Sequence, residues 1–264
     1  MEKEELKLKN NEKLEEATDK MKEITNENPE HFKTKRLGSS MGNYATQLER
    51  DVKGLRRRNP VFQHGTLVYV DFGINYGSEF SSYHYAFTLN KNDTRKDNTI
   101  TVVPLTSKIG KQNIKLNSSI STTLAALTLS YTHERNELIE KISEKSLDLV
   151  DNLIERYKQA EETKNNEELD NIRETLNQLK TLNQEINSLQ KTVDDAKKRV
   201  DKYIKDLDKD TYIKIDAITT IDKNKIFKRK DDLDPLTKVC ASDEVLELIE
   251  KGIKNLFFKS NVHL

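Results

Sequence analysis

The chain has one cysteine, Cys240, no tryptophan and four prolines in 264 residues. A single thiol supports neither an intrachain disulfide framework nor a multi-cysteine metal site. An excess of one charge is missing too. Lys and Arg number 45 and Asp and Glu 45, so net charge points to no partner. No apolar run approaches the ~20 residues that span a bilayer. The opening MEKEELKLKNNEKLEE has the charge pattern of a solvated helix rather than a secretion signal. These absences set the expectation of a cytoplasmic protein without membrane, metal or cofactor. Hydrophobic residues make up 34%, the same share as charged ones, which fits a small core with long solvated helices better than one large globule.

What charge there is lies unevenly. Between residues 33 and 58 stand Lys33, Lys35, Arg36, Arg50, Lys53, Arg56, Arg57 and Arg58, against Glu49 and Asp51. The stretch 134–170 is acidic. Such asymmetry marks an interaction surface or a pair of segments that neutralise each other within the fold.

Periodicity divides the chain. Leu14, Ala17, Met21 and Ile24 predict a helix over 1–27. Met41, Tyr44, Leu48, Val52 and Leu55 predict a second over about 40–57, closed by Asn59-Pro60 because proline disfavours helical geometry before it. From His64 the pattern is that of strands: TLVYVDF (66–72), YAFTL (85–89) and NTITVVPLTS (98–107), then a short one in NIKLNSSI. A long helical region follows. Ile172, Leu179, Ile186, Val193, Val200 and Leu207 occupy heptad a positions, and Thr175, Leu182, Leu189, Ala196 and Tyr203 occupy d. Upstream, Ile139, Ile142, Leu149, Leu153 and Tyr157 make a second stripe. An antiparallel hairpin with its tip near Asn165 and an intermolecular coiled coil share this periodicity. Strand character returns in TYIKIDAITTI (211–221). A helix from about Ser242, its predicted N-cap, to Phe258 closes the chain. The organisation is α+β: helices over 1–60, a β module over 61–120 and 211–264, and a helical insertion over 121–210. Loops tolerate such insertions because loop closure grows only logarithmically with length.

With the insertion set aside, the β segments resemble the MazF/PemK/Kid toxins of toxin–antitoxin systems. The matching stretches are Gly65 to Phe72, Gly77-Ser78-Glu79, Val103 to Ser107, and Thr219 to Asp222, in that order. They cover under half of the chain. The resemblance implies a small, bent, SH3-like antiparallel barrel that forms a homodimer. It also implies metal-independent cleavage of single-stranded RNA (an mRNA interferase, in family terms) and a small antitoxin that occupies the RNA groove.

Metal-independent cleavage needs a base for the 2′-OH, donors for the phosphorane and an acid for the leaving oxygen. His84 stands at the family's catalytic arginine and Tyr85 at its proline. Histidine titrates near neutrality, so it can serve as base or acid where arginine cannot. At the family's positions Thr106 and Ser107 donate to the phosphate. Lys214 and Asp216, two apart on one predicted strand, share a face, where they serve in catalysis or form an ordinary ion pair. Glu79 orients His84 or acts as base, with Ser78 beside it in a movable loop over the groove. Phe80, Tyr83 and Tyr85 stack unpaired bases or simply pack. Lys108 and Lys111, with Lys115, give a positive rim for phosphates or a solvated face. Asp222 reads as a turn residue. Thr219 replaces a second family arginine, so a non-enzymatic RNA- or protein-binding module with a coiled-coil assembly arm is the rival reading.

Overall fold

A computed structural model describes residues 3–55, 59–116, 119–163, 165–207 and 210–258. Arg56, Arg57 and Arg58 of the basic run lie outside these. The chain is α+β. The strands β1 (Leu67–Asp71), β2 (Tyr83–Thr88), β3 (Thr99–Thr106), β4 (Asn113–Lys115), β5 (Tyr212–Lys214) and β6 (Thr219–Asp222) form an antiparallel sheet of order β1-β2-β3-β5-β4, with β6 also on β3. The chain divides into two compact units. One comprises Met1–His64, Val68–Pro104 and Asp216–Phe227; the other comprises Gly65–Leu67, Leu105–Ile215 and Lys228–Leu264.

The first unit begins with α1 (Lys3–Glu27) and α2 (Thr34–Val52). Helix α2 starts earlier than its apolar spacing predicts, because Thr34 Oγ1 donates to the carbonyls of Asn28 and His31 and ties down the first turn. It also stops earlier, and not at Asn59-Pro60. Gly54 takes φ +62°, and Leu55 N donates to Arg50 O at 3.0 Å, the left-handed closure that glycine permits at no steric cost. The stripe Met41, Tyr44, Leu48, Val52 and Leu55 is exposed. The core of this unit is Phe62, Val68, Val70, Phe72, Ala86, Ile100, Val102, Ile221 and Ile226, the inward half of each alternating strand. On β3, Thr99 to Val102 pair with β6, and Val102 to Pro104 pair with β2. Asp222 accepts from Asn224 N at 2.7 Å, the turn role its position suggests.

Beneath that core lies an ion pair that no sequence pattern announces. Lys223 Nζ sits 2.6 Å from Asp93 Oδ1, and each side chain is 1% exposed. Nζ also donates to Pro60 O and Thr94 O, both at 3.0 Å. Asp93 Oδ2 accepts from Phe62 N at 2.8 Å. Oδ1 has the ammonium close by but off its hydrogen-bonding direction.

In the second unit, Leu105 and Thr106 of β3 pair with Ile213 and Tyr212 of β5, and β5 pairs on its other edge with β4. Leu116 N donates to Thr211 O at 2.8 Å. Between these two residues the chain makes its arm: α3 (Ser119–Thr163) and α4 (Asn166–Leu207). At ~1.5 Å per residue they run ~67 and ~63 Å. The arm is an antiparallel hairpin within one chain. Ile172, Leu179, Val193, Val200 and Leu207 of the predicted a positions are buried, as is Ala196 at d. Asn165 forms the tip, its Oδ1 accepting from Glu168 N at 3.2 Å. On α3 the inward row ends at Leu153 and Ala160 rather than at Tyr157, which is exposed. Buried Thr128 and Thr132 donate to Leu124 O and Thr128 O at 2.8 and 2.9 Å, so their hydroxyls are satisfied within the helix.

The root of the arm is fastened by charge. Arg199 donates to Asp231 at 2.9 and 3.1 Å, and Arg135 to Asp232 at 2.6 Å. Tyr203 donates to Asp234 at 3.3 Å. Helix α5 (Asp243–Phe257) buries Val245 and Ile249. Ser242 has N-cap dihedrals but makes no side-chain cap. Gly252 is needed here: a Cβ would lie 2.8 Å from Ile114 and 3.1 Å from Ile215.

Candidate nucleic-acid interface

Strand alternation decides which expected residues meet. On β1 and β2, Val68, Val70 and Ala86 point to the core, so Tyr69, Tyr83 and Tyr85 point to the other face. Phe227 joins them, because its N–H donates to Tyr69 O at 2.9 Å and sets its segment beside β1. The rings form a continuous patch. Centroids are 4.8 Å apart for Tyr69–Tyr85, 5.2 Å for Tyr69–Phe227 and 5.3 Å for Tyr83–Phe227. The three tyrosines are half-buried and Phe227 is exposed. From α2, the Arg36 guanidinium lies 4.5 Å from the Tyr83 centroid, a stacked cation held in place. Asp71, on the same face, is engaged by Asn43 Nδ2 at 3.2 Å and Gly73 N at 2.9 Å. Of these groups Tyr83 and Tyr85 stand out in the sequence, and Arg36 only within a basic run. The period-two pattern of TLVYVDF marks Tyr69. Phe227 follows Ile226 in a segment that carries no strand pattern.

His84 belongs to the opposite face. Its ring lies 4.2 Å from Phe80 and 6.4 Å from Phe72 by centroid. Nε2 is 3.1 Å from Ser81 O, and facing a carbonyl it carries the proton. Histidine and tyrosines therefore do not line one groove, although they are neighbours in sequence. Phe80 packs on the core, edge-on to Phe72 at 5.1 Å. Glu79 and Ser78 are exposed.

The loop that carries them is tied to its surroundings by five hydrogen bonds. Asn75 Nδ2 donates to Phe72 O at 3.1 Å and Phe80 O at 2.7 Å. Lys33 Nζ donates to Asn75 O and Gly77 O at 2.7 Å each. Ser81 Oγ accepts from Asn75 N at 3.0 Å. Lys33 thus spends its charge on backbone.

The second unit holds the remaining expected residues except Asp216, which belongs to the first. Thr106 is buried and its Oγ1 accepts from Lys108 N at 3.2 Å, closing the strand exit. Ser107, Lys108 and Lys111 are exposed. Lys115 pairs with Asp210 at 2.8 Å, and that hydrogen bond raises its pKa above the ordinary lysine value. Lys214 ends β5, opposite Asn113. Asp216 does not share a strand face with it, because Ile215–Ala217 is a 3-10 turn. Among the described residues no group of three His, Cys, Asp or Glu is placed to hold a metal ion, and no helix is long and apolar enough to cross a membrane.

No protein-family model matches the chain, and no curated protein matches it significantly.

Proposed function

We propose that the chain binds single-stranded RNA on the outer aromatic face of β1, β2 and Phe227. One observation carries this: four aromatic rings and a stacked arginine gathered on the sheet face opposite Val68, Val70 and Ala86, beyond the buried Leu67 and Phe87 of that same face. Each ring offers a π-face to an unstacked base, and Arg36 adds a cation for base or phosphate. Such stacking tolerates any sequence, and tyrosine hydroxyls add polar contacts to base edges or the 2′-OH. RNA is chosen over DNA because of the motif order shared with RNA-cleaving toxins. The SH3-like barrel belongs to the same proposal. It is supported by β3, which pairs with β6 over Thr99 to Val102 and with β5 over Leu105 and Thr106, a change of partner on which a small bent sheet depends.

Binding is favoured over cleavage by His84. Its Nε2 faces a carbonyl and its ring lies against Phe80, the contacts of a packed histidine. The toxin-like endoribonuclease, with its antitoxin partner, is the second reading, favoured by the buried Thr106 hydroxyl at the strand exit, which can still donate to an oxyanion.

The experiment follows a fluorescent single-stranded oligonucleotide by anisotropy in EDTA, then maps the RNA ends. Saturable, salt-weakened binding to intact RNA, reduced in Tyr83→Ala and Phe227→Ala, is the expected result. Unchanged affinity in both variants overturns the proposal. Discrete cuts that vanish in His84→Ala establish the enzyme instead.

A further inference from the structure

Helix α1 is 25 residues long and buries none of them. A helix that its own chain leaves almost uncovered draws little stability from propensity alone. Yet its sequence is patterned for a partner. Leu14, Ala17, Met21 and Ile24 recur at spacings of three, four and three. At ~100° per residue, Lys7, Lys13 and Lys20 flank that stripe, while Glu12, Glu16, Asp19 and Glu23 fall on the back, where Lys22 pairs with Asp19.

The distal arm carries the counterpart. On α3, Leu147, Val150, Ile154 and Tyr157 are exposed and recur at the same three, four, three spacing. They lie to one side of the inward row Leu153 and Ala160. Because α3 and α4 are antiparallel, Leu176 of α4, also exposed, flanks the same side. The rim on α3 is acidic: Glu140, Glu144, Asp151 and Glu161, with Lys158 the cation among them. Leu14 is 64% exposed and Ile154 51%, so each stripe leaves apolar surface open, although Met21 is half-buried.

We propose that α1 of one copy docks on the outer face of the arm of a second copy, as the third helix on an α-hairpin. Equal spacing lets the knobs of one stripe enter the holes of the other, and lysine rims meet carboxylate rims. A two-fold axis repeats the contact, so each copy gives one α1 and receives one, in a closed dimer. This holds independently of the RNA-binding face.

The test uses the full chain and measures mass by sedimentation equilibrium across concentration and salt. A dimer that weakens with salt is expected. Leu14→Gln and Ile154→Gln, both at exposed positions and checked for retained helicity, each weaken dimerisation at least about a hundredfold, the loss of two buried leucine-sized side chains, one at each symmetric contact. Lys20→Glu weakens it as well, and adding Asp151→Lys restores it. A chain that stays monomeric overturns the proposal. So does a dimer that survives either glutamine variant, or a charge reversal that Asp151→Lys fails to rescue.

Discussion

Replacing Lys223 by methionine keeps the length of the side chain and removes its ammonium. Asp93 is then left as a carboxylate 1% exposed, with Phe62 N its remaining backbone donor at 2.8 Å. Breaking a buried pair at one end costs ~3–5 kcal/mol, because the surviving charge has lost its counter-ion. Asp93→Leu leaves the opposite fault: an ammonium facing Pro60 O and Thr94 O at 3.0 Å without its carboxylate, again ~3 kcal/mol or more. The double variant Lys223→Met with Asp93→Leu removes both charges, and such swaps are often neutral or stabilising. It loses chiefly the three backbone hydrogen bonds, at ~1 kcal/mol each. Equilibrium urea denaturation of the four proteins completes a double-mutant cycle. The double variant should be more stable than the sum of the singles predicts by at least ~2 kcal/mol. Additive losses, or singles that cost under ~1 kcal/mol, refute the picture of a desolvated pair locking 60, 93–94 and 223 together.

Three other outcomes can be checked directly. Tyr85→Ala should reduce affinity for single-stranded RNA by ~1–3 kcal/mol, measured by anisotropy, with thermal stability monitored alongside. Burial, then the Asp234 charge, pushes the Tyr203 hydroxyl above the ordinary tyrosine range. The unfolded chain therefore ionises first, from pH ~10, and stability falls from there upward; in Tyr203→Phe that part of the alkaline transition should be missing. The Arg135 hydrogen bond holds Asp232 below the usual carboxylate range. Its contribution is present above pH ~4 and is lost as pH falls through the lowered value. Wild type should therefore exceed Asp232→Asn in melting temperature at neutral pH, and the two should converge in acid.

Period and punctuation made most of the fold readable. Heptad positions located the arm's seam because a strict 3.5 repeat has few other uses, and β-branched runs located the strands. The errors have physical causes. Helix α2 ends at Gly54 because a left-handed residue closes a helix more firmly than a proline several residues on. Tyr157 has the spacing of an inward residue, yet Ala160 takes the seam. Lys214 and Asp216 looked like one strand face until a 3-10 turn separated them. The aromatic face was half legible: Tyr83 and Tyr85 stand in the sequence, but their separation from His84 needs the pleat, and Phe227 needs the pairing beside Tyr69. The Lys223–Asp93 pair was illegible, since a charged residue in a turn-rich stretch reads as solvated.

The Leu116–Thr211 hydrogen bond makes the arm a cassette. Lys115 faces Tyr212 across β4 and β5, so those strands are already a hairpin whose turn has grown to hold residues 117–210. Excising that turn and joining 116 to 211 through a short glycine link would leave the strand register untouched. A hairpin grafted there would need Arg135, Arg199 and Tyr203 at its root, so that Asp231, Asp232 and Asp234 keep their partners.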